Sequence, residues 1–248
     1  MKKSLLFVLD EFVFSCYDTI KEGVMMKGKA FTYDSLYQQN KPMWGDSTLD
    51  PVLKKYLSFF PKGNVLDLGI GEGQNSIPLS NLGFEVTGVD VSKQALSICQ
   101  SRCPNLHLVE NDIRKFSIAS SYYELILVRN VLHFLNKKDI ADLVLSIQEG
   151  IASGGFVYIC VFSTDDPSYL TLKNQSKVQS LGHNEFFLPD REIYRSFFEK
   201  EEILSYFSGW KTISLTKSYF LDVTPMGSHY HGVIHYLGQK NIDNVAVL

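Results

Sequence analysis

Asn64-Val-Leu-Asp-Leu-Gly-Ile-Gly-Glu-Gly-Gln74 is the stretch that decides the fold. Val65, Leu66 and Leu68 read as the end of a short buried strand. Gly69, Gly71 and Gly73 follow as a loop with almost no side chain, and Gln74 to Leu82 reads as a helix. Strand, glycine turn and helix together are how an open parallel sheet makes a ligand site. The glycines let backbone N–H groups and a helix N-terminus come close to the ligand. A dinucleotide loop reads G-x-G-x-x-G. Here Gln74 occupies the third glycine position, and Asp67 stands two residues before the first glycine. A carboxylate there is a poor neighbour for a pyrophosphate and a good one for a cation.

The flanking sequence extends this unit into a sheet. Asp50-Pro51 is a helix start, an N-cap acid followed by proline at the first helical position. Val52 to Phe60 then carries Val52, Leu53, Tyr56, Leu57 and Phe60 on one apolar face, and Pro61 and Gly63 end it. Phe84 to Asp90 reads as a second strand. Ser92 caps a helix over Lys93 to Cys103, which Pro104 stops. Leu106 to Val109 and Tyr123 to Val128 read as further strands. A helix running from Asn136/Asp139 through Ile151 closes at Gly154-Gly155. The continuous apolar run from Gly155 to Phe162 marks a strand buried on both faces. Strands alternating with helices over this length predict an α/β doubly wound sheet. Residues 163–197 read as a long polar segment with aromatic clusters. A helix over Glu199 to Phe207 and two closing strands follow, Trp210 to Phe220 and His231 to Gln239.

The pattern Asp67-x-Gly69-x-Gly71-x-Gly73 resembles motif I of the class I S-adenosylmethionine (SAM)-dependent methyltransferases. Three further features resemble that family in the right order: Asp90, Asp112-Ile113, and the Val131-Leu-His133-Phe134 loop. Asp90 ends the second strand about 20 residues past the loop, in register to accept from ribose hydroxyls. That geometry serves any adenosine ligand. The resemblance implies that Asp112 accepts from the adenine amino group while Ile113 packs on the ring. It covers roughly Asn64 to Lys240. It implies a Rossmann-like, mostly parallel seven-stranded sheet with the last strand antiparallel. The cofactor-binding set it implies is Asp67, Gly69, Gly71, Gly73, Asn75, Asp90, Val91, Asp112, Ile113 and Arg129, with Trp44 covering the cofactor. Tyr33-Asp-x-x-Tyr37 followed by Pro42-x-Trp44 resembles the lid of the tellurite-resistance and thiopurine-type enzymes, which act on small molecules.

The domain organisation expected is an extension over 1–24, a lid over 25–48, and a methyltransferase domain over 49–240. A substrate-side insertion occupies 163–197 and a tail 241–248. Methyl transfer is an in-line displacement at an already activated carbon, so no covalent intermediate or metal is required. His133 is the candidate general base, since imidazole titrates near neutral pH. Tyr33 and Tyr37 are candidate acceptor-site residues. An acceptor already ionised at neutral pH, such as a thiolate or chalcogenide, would need no base; a carboxylate or amine is also compatible. The Asn/Asp-Pro-Pro-Tyr signature of base-modifying enzymes is absent, as is a Pro-Cys dipeptide. His229-x-His231 suggests a metal pair, but no third ligand stands at metal spacing, and no metal is expected. Two rival readings are a SAM-fold binding or regulatory protein without turnover and an NAD-dependent oxidoreductase. Gln74 and Asp67 argue against the second.

Composition is consistent with this reading. The chain has 248 residues, 45% hydrophobic and 21% charged, with a net charge of −3. That is enough to bury a full core. It lacks the basic patch of a nucleic-acid binder. Cys16, Cys99, Cys103 and Cys160 are few and scattered, as expected for reduced thiols in the cytoplasm. Lys2-Lys3 and Leu5 to Leu9 start like a signal peptide, but Asp10-Glu11 cuts the apolar run short. No stretch approaches a membrane span. The expected protein is a cytoplasmic monomer or homodimer.

Overall fold

The computed structural model describes residues 47–224 and 227–242. The lid and extension readings, with Tyr33, Tyr37 and Trp44, lie outside the described residues.

The chain enters through helix α1 (Pro51–Tyr56) and a 3-10 turn (Leu57–Phe59). The Asp50 side chain accepts from Val52 N–H, and Pro51 sits in the first turn, as the Asp-Pro pair predicts. Five strands with intervening helices follow: β1 (Asn64–Leu68), α2 (Ser76–Asn81), β2 (Glu85–Asp90), α3 (Lys93–Arg102), β3 (His107–Glu110), β4 (Tyr123–Arg129), α4 (Lys137–Gly150) and β5 (Ile151–Phe162). Ser92 caps α3 by accepting from Ala95 N–H, as predicted. Helix α2 is shorter than the sequence suggests. Gly73, at φ +82°, stands just ahead of it, and the helix runs from Ser76 to Asn81, within the Gln74 to Leu82 reading. Helix α4 ends at Gly150 rather than at the Gly154-Gly155 pair. The chain turns into β5 at Ile151, and Gly154 is a positive-φ irregularity within that strand.

Residues 163–197 carry secondary structure of their own. They form helix α5 (Pro167–Asn174) and a separate antiparallel sheet, β6 (Gln179–Gly182), β7 (Glu185–Leu188) and β8 (Ile193–Ser196). Leu172, Phe186, Leu188 and Phe197 form its own small core. Strands of four residues with mixed exposure carry too little period-two signal to be read from sequence. Helix α6 (Lys200–Tyr206) then leads to a long hairpin, β9 (Lys211–Thr224) and β10 (Gly227–Gln239).

The main sheet has seven strands in the order β3-β2-β1-β4-β5-β10-β9, with β10 antiparallel to both neighbours. This is the expected architecture. Leu53, Ile77, Leu79, Leu96 and Cys99 bring α1, α2 and α3 onto one face. Ile140, Leu143, Ile147 and Ile203 bring α4 and α6 onto the other. Burial on both faces is why β1, β4 and β5 are nearly all apolar. β1 pairs with β2 on one side and β4 on the other, so the chain reverses winding direction between β1 and β4. The crevice at the carboxyl ends of these strands is where such sheets bind ligands. β10 first meets β5 at Val233↔Phe162, so the earlier part of the hairpin projects beyond β5 at this same end.

Candidate cofactor and acceptor site

The glycine loop leaves β1 at the switch point. Gly69, Gly71 and Gly73 all have positive φ, at +81°, +55° and +82°. A Cβ on Gly69 would stand 2.2 Å from Val131 Cγ2, and one on Gly73 would stand 2.7 Å from Cys99 Sγ. Glycine is therefore required here by backbone conformation and by close packing. The Asp90 carboxylate, at the end of β2, accepts from Gly71 N–H at 2.9 Å and from Ser92 N–H at 2.9 Å. It fixes the tip of the loop and the entry to α3 together.

Asp67 is buried beneath the loop and accepts from the Ser76 hydroxyl at 2.6 Å. Burial pushes its carboxyl up to about 6. The Ser76 bond opposes this, the Asp90 charge adds to it and Arg129 reduces it. The site therefore disfavours its own anion and would gain from a cation beside it. Asn75 is also buried, and its Oδ1 accepts from Asp50 N–H at 2.8 Å. Asp50 Oδ2 in turn faces Arg129 Nε at 3.4 Å and His235 Nδ1 at 3.9 Å. Through its backbone N–H and its carboxylate together, Asp50 thus ties the start of α1 to the end of the glycine loop, the end of β4 and β10. Sequence reading saw Asp50 only as a cap.

At the third strand, Ile113 is buried and Val91 is 50% exposed at the rim. Asp112 is held by the Arg114 fork, with Nε at 2.9 Å from Oδ1, and Arg114 also reaches Asp139 at 3.1 Å. The Arg114 hydrogen bonds hold the Asp112 carboxyl below its ordinary range. Sequence reading missed this clamp, although Arg114 stands only two residues away. It also missed Glu72, which is buried inside the loop with Arg102 of α3 at 3.4 Å.

His133 lies in the turn after β4 and is 1% exposed. Its ring stacks on Phe162 at 3.7 Å and 6°, and contacts Phe134 at 4.3 Å. Among the described residues its Nδ1 has no hydrogen-bond partner. Burial holds its pKa well below the ordinary value, with the charges of Arg195 and His231 acting in the same direction. The insertion packs over this turn: Ser196 donates to Leu135 O at 2.8 Å, and Arg195 lies over the Phe134 ring at 4.2 Å. On its other side Phe162 stacks on His231 at 4.5 Å. The structure thus places the loop glycines, Asp67, Asn75, Asp90 and Arg129 around one crevice, with Val91, Asp112 and Ile113 along its β2–β3 side and His133 toward β5. Among the described residues, no three histidine, cysteine or acidic groups are arranged to hold a metal ion. Cys99, Cys103 and Cys160 are buried free thiols, and burial raises Cys99 and Cys160 to about 12.

A seven-stranded sheet of this order, with a glycine loop leaving β1, Asp67 within β1 and Asp90 at the end of β2, is the architecture of the class I SAM-dependent methyltransferases, which this chain resembles. Residues 65–155 match the family model for a methyltransferase domain. The chain is similar to a probable S-adenosyl-L-methionine-dependent methyltransferase, TehB, of Haemophilus influenzae strain 10810. The two are 32% identical over 107 residues, which span 41% of this chain and 37% of that protein. The match thus covers well under half the length of that relative. Among solved structures, a SAM-dependent methyltransferase of Methanosarcina mazei superposes with a TM-score of 0.64 at 16% identity, covering 79% of this chain and 99% of the other. The crystal structure of H. influenzae TehB gives 0.62 at 20% identity, covering 80% and 64%. The structural likenesses carry the fold.

Proposed function

We propose that this chain transfers the methyl group of SAM to a small-molecule acceptor by in-line displacement, releasing S-adenosylhomocysteine. The observation that carries this reading is the pairing of Gly71 N–H with Asp90 across the carboxyl ends of β1 and β2, above the buried Asp67. In this reading Asp90 accepts from the ribose, and Val91, Asp112 and Ile113 surround the adenine. Asp67, Asn75 and Arg129 hold the amino-acid end. SAM supplies a carbon already activated by its sulfonium. The chain's residues orient it, exclude water and remove a proton where the acceptor carries one. His133, neutral and stacked on Phe162, lines the path toward the acceptor and accepts a proton only from a strongly acidified group. Tyr33, Tyr37 and Trp44 close the site in this reading. Buried thiols with raised pKa suit a reducing cytoplasm. Among the described residues no helix is long and apolar enough to cross a membrane.

Calorimetry with SAM, followed by mass detection of S-adenosylhomocysteine across thiol, hydroxyl, carboxylate and amine acceptors, tests this. Binding with turnover of at least one acceptor is expected. Binding without product from any acceptor would instead make the chain a SAM-binding protein without turnover.

A further inference from the structure

Asp112 opens the turn after β3, next to the end of β2. Asn111 N–H donates to Asp90 O at 3.0 Å, and Asp112 is the following residue. The Asp112 side chain is 20% exposed and is held by one neighbour, Arg114. Its Oδ1 accepts from Arg114 N–H at 3.0 Å and from Arg114 Nε at 2.9 Å. Its Oδ2 accepts from Arg114 Nη2 at 2.5 Å, with Nε also at 3.1 Å. Arg114 is anchored in turn. Its Nη1 donates to Asp139 Oδ2 at 3.1 Å. That oxygen also accepts from Asn136 Nδ2 at 3.1 Å, while Asn136 Oδ1 accepts from Asp139 N–H at 2.7 Å. Asn136 is the N-cap of α4, so a reciprocal cap at the start of this 14-residue helix holds the guanidinium in place.

The donors leave little of this carboxylate unused. An ionised carboxylate has about four acceptor positions, and a guanidinium meets it as a flat fork. The backbone N–H and Nε fill both positions of Oδ1. Nη2 takes the position of Oδ2 that faces the fork, and the Nε contact there is the longer arm of a shared proton. Among the described residues Asp112 therefore keeps one acceptor position, on the side of Oδ2 away from Arg114. The fork also fixes the plane of the carboxyl group, and the same bonds hold its pKa below the ordinary range, so it is ionised at neutral pH. A lysine ammonium, a point charge on a flexible stem, would fix neither the plane nor the direction.

We propose that Arg114, held by Asp139, is the positioning residue that makes Asp112 select an adenine over a hypoxanthine base, so that the chain takes S-adenosyl ligands and rejects S-inosyl ones. This rests on the cofactor reading above, in which Val91, Asp112 and Ile113 surround the base. The remaining lone pair of Oδ2 accepts from the exocyclic amino group of adenine. Hypoxanthine carries an oxo group at that place, which sets two acceptors against each other. Its edge does offer a donor, the adjacent ring N–H, one position to the side. A carboxylate free to rotate would follow that donor and bind both bases. A carboxylate fixed in plane and direction by the fork does not reach it. Selection therefore comes from the clamp as well as from the acid. The cost of the wrong base is an unmet buried acceptor facing a second acceptor.

The test is calorimetry on the full chain with S-adenosylhomocysteine and S-inosylhomocysteine. The wild type is expected to prefer the adenosyl ligand more than about tenfold. In Arg114→Gln and Arg114→Lys the preference should fall to within about threefold. The adenosyl ligand should weaken while the inosyl ligand stays unchanged or tightens. The Arg114 side chain is 45% exposed, so circular dichroism should show both variants folded. Asp139→Ala removes only the outer anchor of the guanidinium and gives the same readout in a second place; its preference should fall by about threefold. No preference in the wild type would overturn the proposal. So would equal losses of both ligands in the Arg114 variants, which a merely structural role predicts. A preference that rises when Arg114 is removed would show the fork competing with the base and would overturn it too. Full preference in Arg114→Lys, or in Asp139→Ala, would likewise overturn it. Failure of the wild type to bind SAM or either homocysteine ligand would instead overturn the methyltransferase reading, and no variant is needed to see it.

Discussion

Gly71 N–H donates to Asp90 Oδ2 at 2.9 Å across 19 residues of sequence. The bond closes the glycine loop onto the end of the neighbouring strand, and Ser92 N–H occupies the other Asp90 oxygen at 2.9 Å. The carboxylate therefore shapes the loop before it meets a ligand. Asp90→Ala is expected to weaken SAM binding more than about tenfold, since each charge-assisted bond contributes about 1.5–3 kcal/mol. Unchanged affinity by calorimetry in a folded variant would remove Asp90 from the ribose.

Asp67 should make stability depend on pH in an unusual direction. Its folded pKa of about 6 lies above the unfolded value of about 3.9. The folded protein therefore binds more protons between about pH 4 and about pH 6, and stability falls as pH rises through that window. Asp67→Asn should raise stability at neutral pH by up to about 3 kcal/mol and flatten that slope, at about 1.4 kcal/mol per pKa unit. The same change should weaken SAM binding. Denaturant unfolding at several pH values checks this; an identical slope in the variant would show that Asp67 is not its source.

Gly69 should resist substitution for two separable reasons. Gly69→Ala is strained at φ +81° and meets Val131 Cγ2 at 2.2 Å. A residue held in so unfavourable a conformation costs about 1–3 kcal/mol, and the clash adds to it. In a double-mutant cycle, Val131→Ala should recover the clash and leave the backbone strain. Complete additivity of the two changes would mean that Val131 relaxes freely.

His133 should stay neutral across the physiological range. Burial, then Arg195 and His231, hold its pKa well below 6.5. Its ring resonances should not titrate between about pH 6 and about pH 8, where an ordinary histidine changes charge. A midpoint near the ordinary value would mean that the Phe162 stack opens in solution. Any limb near neutrality in a rate profile would then belong to His133 instead of another group.

The two Asp-Pro pairs show how far the sequence could be read. Asp50-Pro51 and Asp166-Pro167 both start helices, and both carboxylates cap as local chemistry requires. Each carboxylate has a second oxygen. Asp50 spends its second on Arg129 and His235, and Asp166 spends its second on His231, across 65 residues or more. Sequence reading takes Asp50 as a cap but passes over Asp166, and it hides the second use of both. The same holds for Asp112. Its place after β3 was legible, whereas the Arg114 fork that occupies it depends on how the Asn111–Ile113 turn folds back.

The strand–glycine–helix unit, the helices capped by Asp50 and Ser92 and the parallel core strands were legible because they depend on spacings of a few residues, whereas the antiparallel end of the sheet came only from the family resemblance. φ preferences, cap hydrogen bonds and two-sided burial act at that range. The insertion's own sheet and the Asp166–His231 pair were decided by the tertiary structure. So was the stacking of Phe162 between two histidines. Their partners are brought together only when β10 pairs with β5, and no local preference encodes which side chains that register sets face to face.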